Sequence, residues 1–256
     1  MRALTSELTT DDFLGGRLRI TQPARGYRAG ADAVMLAAAC PATPGETVLE
    51  LGCGAGVASL CLARRVPGLT LTGLERQPDY AALARRNAAA NALPLNVIEG
   101  DLAAPPPALR GASFDHVIMN PPFFLGGTPA PDPGRAGARS EETPLSLWID
   151  AALRRLKPKG WLTVIQRADR LDGLICGLQG RAGALTVLPL AARHGAEAGR
   201  IILAARKGAG GPLRLLAPFV IHAAAYHQGD GEDLTPEAAA ILRDVAPIRP
   251  MIAKVS

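Results

Sequence analysis

The sequence is poor in cysteine, and its few cysteines are scattered. Only four occur in 256 residues, and none forms a Cys-x-x-Cys pair or lies beside a histidine cluster. This pattern excludes a disulfide scaffold and offers no metal-ligand spacing. It is typical of a reducing compartment, so we expect a cytoplasmic protein without a metal site.

Long apolar segments are also missing. No run of about 18 consecutive apolar residues occurs, which excludes a membrane-spanning helix, so we expect no membrane partner. The first ten residues contain Glu7 and no apolar segment, so a signal peptide is not expected. Aromatic residues make up only 4% of the chain, so alanine, leucine and valine must fill the core.

The chain has 48% hydrophobic residues and a formal net charge of +5. A basic balance favours polyanionic partners, although a mildly basic surface without any such partner has the same charge. Candidate contacts with a polyanion are Arg17, Arg19, Arg25, Arg28, Arg135 and Arg139.

Short apolar runs alternate with helical segments from residue 47 onward. This alternation predicts an α/β fold, namely a doubly wound, Rossmann-like, mostly parallel seven-stranded sheet with a C-terminal antiparallel hairpin. We expect a single domain over 1–256, with a cap and lid at 1–46, a core at 47–206 and an extension at 207–256. Residues 1–16 are expected to fray or to form a small cap, and residues 17–30 to form a short strand or hairpin. Residues 126–144, rich in glycine and proline, are expected to form a long loop. The strands are predicted at 47–51, 69–74, 96–99, 114–119, 161–166, 185–189 and 200–206.

A glycine-rich turn follows the first core strand. Glu50 precedes the spacing Gly-x-Gly-x-Gly, which differs from the Gly-x-Gly-x-x-Gly of pyrophosphate binders. Glycine permits a tight turn and a close approach of the backbone to a ligand. From the glycine spacing alone, two other interpretations stay open, an ordinary βα turn and a dinucleotide-binding site. The three glycines of the turn are Gly52, Gly54 and Gly56.

Acidic residues follow the next two strands. Glu75 ends one strand and can accept both hydroxyls of a ribose, while Asp101 after the next can accept an adenine amino group, with Leu102 against the ring. Together with Glu50 and the glycines, this ordered set resembles class I methyltransferases. The resemblance implies S-adenosylmethionine (SAM) as cofactor and S-adenosylhomocysteine as product.

The tetrapeptide Asn120-Pro121-Pro122-Phe123 follows the fourth core strand. The two prolines remove two backbone N–H groups, which predicts a Pro121 carbonyl with no competing donor. The Asn120 side-chain oxygen is a second acceptor, so the pair suits an –NH2 group, and Phe123 offers a flat face for its ring. We therefore interpret the tetrapeptide as the catalytic segment, with Asn120 also bordering the cofactor. It resembles the signature of amino-group methyltransferases.

Upstream, the segment from Gln22 to Ala37 contains Gly-Tyr-Arg-Ala-Gly-Ala-Asp-Ala-Val. Together with the motifs above, it resembles the bacterial tRNA1(Val) adenine-N6-methyltransferase family. In that family this segment packs over the methionine end of the cofactor, which implicates Arg28, Gly30 and Asp32. The resemblance implies tRNA as the partner and adenine N6 as the acceptor, in a monomer or homodimer.

Three alternatives stay open. A guanine-N2 rRNA methyltransferase shares the same tetrapeptide. A glutamine-N5 methyltransferase does so too, but its family has a helical N-terminal domain, and only 46 residues precede the first core strand here. The non-enzymatic alternative is an inactive SAM- or RNA-binding module, against which the intact motif residues argue.

Overall fold

The computed structural model of the chain describes residues 7–122, 143–224 and 233–252. Its strands are β1 (Leu8–Phe13), β2 (Leu18–Pro23), β3 (Thr47–Leu51), β4 (Thr70–Glu75), β5 (Asn96–Glu99), β6 (Phe114–Met119), β7 (Leu156–Arg167), β8 (Ala182–Ala191), β9 (Ala198–Lys207), β10 (Arg214–Leu215) and β11 (Phe219–Val220). Its helices are α1 (Ala31–Ala39), α2 (Val57–Arg65), α3 (Pro78–Ala90), α4 (Pro107–Arg110), α5 (Leu145–Arg155), α6 (Leu171–Leu178), α7 (Pro236–Asp244) and α8 (Arg249–Ile252).

Seven strands form the main body of the sheet in the order β8-β9-β7-β6-β3-β4-β5. Every pair from β7 to β5 is parallel, whereas β9 runs antiparallel to both of its neighbours. The predicted fold, including the C-terminal hairpin, is therefore confirmed. Two short strands, β10 and β11, extend the sheet by pairing with β8.

The N-terminal region differs from the expectation of an irregular cap. Residues 8–13 form β1, which pairs with β2 in an antiparallel hairpin outside the main sheet. The sequence of β1 is Leu-Thr-Thr-Asp-Asp-Phe, and none of its residues is fully buried. Because β1 buries so little, its sequence lacks the alternation of apolar and polar residues that predicts a strand. The predicted loop 126–144 lies outside the described residues except for its last two positions.

Asn87 of α3 attaches the hairpin to the core. Its side-chain oxygen accepts from the Thr21 N–H at 2.8 Å, and its amide nitrogen donates to the Thr21 and Ala55 carbonyls, both at 3.0 Å. The side chain is fully buried, so these bonds satisfy polar groups that water cannot reach. Asn91, one turn later, bonds the Arg19 backbone in the same way. The segment after the hairpin is thereby held near the carboxyl edge of the sheet.

Candidate active site

The carboxyl ends of four neighbouring parallel strands, β5, β4, β3 and β6, meet at one edge of the sheet. In doubly wound folds, ligands bind in the crevice outside this edge. An open cleft of about 820 Å³ lies there. Its lining residues are Tyr27, Gly52, Gly54, Leu74, Glu75, Arg76, Gln77, Tyr80, Gly100, Asp101, Leu102, Asn120, Pro122, Thr143 and Trp148.

The glycine-rich turn forms the floor of this cleft. Gly52 and Gly54 have φ angles of +66° and +53°, a left-handed conformation that side chains disfavour. A Cβ atom on Gly52 would lie only 2.6 Å from Cη2 of Trp148. Gly52 is therefore required both for the shape of the turn and for the contact with the indole. Gly56 lies below the cleft as the N-cap of α2.

Glu75 is buried at the end of β4, and each of its carboxylate oxygens is hydrogen-bonded. Oε2 accepts from the Gly54 N–H and Oε1 from the Gln77 N–H, both at 2.8 Å. Burial raises the pKa of Glu75 above its ordinary value, against the stabilising effect of these N–H groups. The carboxylate is therefore held in one orientation, and its remaining lone pairs are available to hydroxyl donors in the cleft.

Glu50 does not line the cleft, although the sequence grouped it with the cofactor residues. Its Oε2 accepts from the backbone N–H and the hydroxyl of Ser59, at 2.9 and 2.5 Å. Burial raises the pKa of Glu50 to about 8. Neighbouring side chains in a strand point to opposite faces, so Glu50 meets the first turn of α2 and stabilises the helix under the glycine turn.

Asp101 and Leu102 both line the cleft, next to Gly100 after β5. The Asp101 Oδ1 accepts from the Ala103 N–H at 2.8 Å, and its Oδ2 lies 4.0 Å from the Arg76 guanidinium. Both residues are partly exposed. Asp101 is thus oriented by its own loop while keeping an acceptor toward the cleft.

Asn120 and Pro122 line the same cleft across from the acidic residues. The Oδ1 atom of Asn120 is buried and accepts no hydrogen bond from the described residues. A buried polar atom without a partner costs free energy, which a ligand with an N–H group can recover. Phe123 lies outside the described residues.

The Pro121 carbonyl has a donor, which corrects the expectation that none would compete for it. The side-chain Nε2 of Gln166 donates to this oxygen at 3.3 Å. The strand β7 begins earlier than predicted, at Leu156, but Gln166 lies within the predicted strand. Because β7 runs parallel to β6, its carboxyl end lies beside the turn that follows β6. Pro121 itself is buried and is not a lining residue, but it lies between Asn120 and Pro122, which both are. A carbonyl oxygen has two lone pairs, so one remains for a ligand.

Arg28, Gly30 and Asp32 are not among the residues that line the cleft. The Arg28 guanidinium bonds the Asp11 carboxylate at 2.5 Å within the hairpin region. Gly30 is the N-cap of α1, and Asp32 in its first turn pairs with Arg200 of β9 at 3.1 Å. These three residues therefore attach the segment after the hairpin to its surroundings.

Tyr27, in the same segment, does line the cleft, although it is not among the site residues predicted from the sequence. The Tyr80 hydroxyl donates to the Tyr27 carbonyl at 2.9 Å, and the two ring centroids are 6.3 Å apart. Burial, together with the nearby carboxylates of Glu50 and Asp32, raises the pKa of Tyr27. The aromatic residue within the Gly-Tyr-Arg motif was the available signal. No sequence signal indicated Trp148, because this residue lies in α5, far along the chain from the glycine-rich turn that it contacts.

The candidate basic contacts have varied surroundings. Arg17 pairs with Asp244 at 3.3 Å, whereas Arg25 is exposed next to the segment that covers the cleft. Arg135 and Arg139 lie outside the described residues.

Across 7–122, 143–224 and 233–252, no group of three or more His, Cys, Asp or Glu side chains could hold a metal ion. No helix in this described part has the length and apolarity to span a membrane.

Comparison with known families agrees with this geometry. The model of the methyltransferase small domain matches residues 30–172. A tRNA1(Val) (adenine(37)-N6)-methyltransferase of Porphyromonas gingivalis is 36% identical over 176 residues, which cover 65% of this chain and 69% of the relative. One from Aeromonas hydrophila is 31% identical over 186 residues, 71% of this chain and 77% of the relative.

Solved structures share the architecture. A protein of Agrobacterium tumefaciens, described as a predicted O-methyltransferase, superposes with a TM-score of 0.67 at 28% identity, over 84% of this chain and 97% of that one. A 16S rRNA N2 methyltransferase of T. thermophilus, solved with AdoMet and guanosine, has a TM-score of 0.55 at 22% identity, over 78% and 50%. At that identity, the second likeness shows only the fold.

The fold, the cleft and the matched family together define a SAM-dependent methyltransferase. More narrowly, the chain belongs to the methyltransferase small domain family and, within it, to the family of the tRNA1(Val) (adenine(37)-N6)-methyltransferases.

Proposed function

We propose that the protein methylates the N6 nitrogen of an adenine in tRNA. The observation that carries this proposal is the buried Oδ1 of Asn120, which accepts no hydrogen bond from the described residues and borders the cofactor cleft. The names of its relatives in Porphyromonas and Aeromonas support the choice of tRNA and of adenine. Because tRNA is modified in the cytoplasm of bacteria, the proposal also implies a cytoplasmic enzyme.

The lining residues fit SAM. Two glycines in the floor would let the cofactor approach the backbone, Glu75 would accept from its ribose hydroxyls, and Asp101 would accept from its adenine amino group with Leu102 against the ring. When bound, SAM would supply a methyl group activated by its sulfonium. The acceptor nitrogen gains this methyl and loses one proton to solvent, while the electrons of the broken C–S bond remain on S-adenosylhomocysteine. In this assignment Glu50 and Gly56 act from below the cleft, by holding the start of α2.

The acceptor is held by two oxygens. Asn120 Oδ1 takes one hydrogen of the amino group, and the free lone pair of the Pro121 carbonyl takes the other. These bonds draw electron density toward the nitrogen and favour the pyramidal geometry needed for attack. The resemblance of the tetrapeptide to the family signature assigns Phe123 to stacking on the base. No covalent nucleophile is needed, because positioning and fixed dipoles carry the catalysis.

A polynucleotide acceptor has to present its base outside the helical stack. An anticodon loop already contains unstacked bases, so little energy is needed to bring one into the cleft. Exposed arginines such as Arg25 can bind the flanking phosphates, which would make binding weaken as salt concentration rises.

The test compares Asn120→Ala with Asn96→Ala, a matched control at an exposed asparagine at the start of β5. We expect wild-type protein to transfer labelled methyl from SAM to unmodified tRNA. Asn120→Ala should lower the rate of transfer on the order of 100-fold or more, with SAM affinity retained, because the lost contact acts mainly on the reacting nitrogen. Asn96→Ala should transfer at the wild-type rate.

Other results would favour one of the alternative functions. Label in rRNA alone would favour the guanine-N2 alternative, and label in protein alone would favour glutamine N5. SAM binding with no transfer to any acceptor would favour the inactive binding module. Normal transfer by Asn120→Ala would contradict the role of Asn120.

A further inference from the structure

Gln166 lies near the end of β7, and its side chain reaches the turn that follows β6. The residue is 1% exposed. Its Nε2 donates to the Pro121 carbonyl at 3.3 Å, and its Oε1 accepts from the Arg167 N–H at 2.8 Å. The second bond fixes the orientation of the carboxamide, since one end only accepts and the other only donates. The donor end therefore faces Pro121.

The turn at Pro121 is short of other donors that could hold it. Neither Pro121 nor Pro122 has a backbone N–H, so the turn cannot be fixed by its own hydrogen bonds at these positions. The Pro121 carbonyl could otherwise tilt with the peptide plane. A side-chain donor from the adjacent strand supplies the missing constraint, and the carbonyl keeps one lone pair free.

We propose that Gln166 is a positioning residue for methyl transfer, which holds the Pro121 carbonyl where it accepts one hydrogen of the substrate amino group. This inference rests on the proposed function of the Asn120 turn. Gln166 is almost fully buried and its donor end is engaged with the Pro121 carbonyl, so it acts through Pro121 and does not touch the substrate.

A purely structural role makes a different prediction. If Gln166 only filled space, its replacement would lower stability and leave the rate of the chemical step unchanged. If it orients Pro121, replacement lowers kcat while the KM for tRNA stays nearly constant, because most affinity for tRNA comes from phosphate contacts.

The main variant is Gln166→Met, which keeps an unbranched side chain of similar length and removes the donor. We expect kcat on tRNA to fall on the order of 10- to 100-fold, as for other small misplacements of reacting groups. The KM for tRNA and the Kd for SAM should change by less than about twofold. The control is Thr163→Val on the same strand, whose buried hydroxyl has no partner among the described residues. It should behave as wild type.

Gln166→Glu is the second variant, and it keeps the shape of the side chain. Burial raises the pKa of a carboxyl at this site, so it donates to Pro121 while protonated and repels the carbonyl oxygen once ionised. Its kcat relative to wild type should therefore fall as the pH rises, and a ratio close to one at every pH would contradict the role of Gln166. This variant decides the question if Gln166→Met fails to fold, as judged by its melting temperature.

The failures can be told apart. If wild type methylates tRNA and both Gln166 variants match Thr163→Val in kcat, the role of Gln166 is refuted and the proposed function stands. An equal loss of SAM binding would also refute it, because the residue would then act on the cofactor. If wild type methylates a different amino group, the adenine assignment fails, and the same variants test Gln166 on that acceptor. If wild type methylates nothing, both proposals fail.

Discussion

The two ends of the cleft differ in whether their polar groups already have partners. At the cofactor end, formed by Gly52, Gly54, Glu75 and Asp101, both oxygens of Glu75 accept backbone N–H groups. At the transfer end, formed by Asn120 and Trp148, the Asn120 Oδ1 and the Trp148 Nε1 are buried with no hydrogen-bond partner among the described residues. The difference indicates that the protein itself organises the cofactor end, whereas ligands complete the transfer end.

The largest effect on SAM binding is expected where Gly52 of the cofactor end contacts Trp148 of the transfer end. Gly52→Ala would put a Cβ 2.6 Å from Trp148 Cη2 at a φ of +66°, so the turn must change shape. We expect the Kd for SAM to rise on the order of 100-fold, measured by calorimetry. Gly45→Ala is the control, since Gly45 also has a left-handed φ but no atom within 4 Å of its Cβ position. It should leave the Kd unchanged, and equal affinities of both variants would contradict the account.

Glu75→Gln tests the cofactor end alone. An amide has one acceptor oxygen, so one of the two backbone N–H groups would face an –NH2 group. The unpaired N–H lowers stability, whereas SAM affinity falls because the ribose hydroxyls lose a charged acceptor, a contact worth about 1.5–3 kcal/mol. The Kd for SAM should therefore rise on the order of 10- to 100-fold. The register partner on β5, Glu99, is exposed and pairs with Arg85 at the surface. Glu99→Gln should therefore change SAM affinity by less than about twofold, and a similar loss in both would refute the distinction.

Asn120→Leu tests the transfer end without any ligand. Because this substitution removes a buried acceptor that has no partner, the free energy of unfolding should rise by about 1 kcal/mol. Asn87→Leu is the contrasting variant, since all three of its hydrogen bonds are formed, and it should lower that free energy by about 3 kcal/mol. Urea unfolding of the ligand-free variants measures both. A marked destabilisation by Asn120→Leu would mean that its oxygen already has a partner.

The smallest effect is expected for Arg28, which the family resemblance linked to the cofactor. Its partly exposed pair with Asp11 predicts a stability loss below about 1 kcal/mol for Arg28→Ala and a Kd for SAM within about twofold of wild type. Asp11→Ala should give the same small change. A tenfold weaker affinity in Arg28→Ala alone would place its guanidinium at the cofactor.

The two ends also differ in how well the sequence predicts them. The cofactor end comes from residues directly after buried strands, and the parallel sheet brings such positions together, so Gly52, Glu75 and Asp101 could be assigned from spacing. Glu50 was grouped with them because it is next to the same turn, but strand alternation directs it toward α2.

The transfer end depends on parts of the chain that meet only after helices dock. Trp148 reaches Gly52 from α5, and Gln166 reaches Pro121 because β7 lies beside β6 in the sheet. Neither contact has a local sequence pattern. The fold was predictable because each strand has its own apolar run, while these pairings require the packed structure.

The most direct test of the account identifies the methylated nucleoside. Unmodified tRNA is incubated with the protein and labelled SAM, digested, and analysed by mass spectrometry, with Asn120→Ala in parallel. The account predicts N6-methyladenosine with wild type and, in the same time, on the order of 100-fold less or none with the variant. Labelled N2-methylguanosine, or N6-methyladenosine made equally by both proteins, would contradict it.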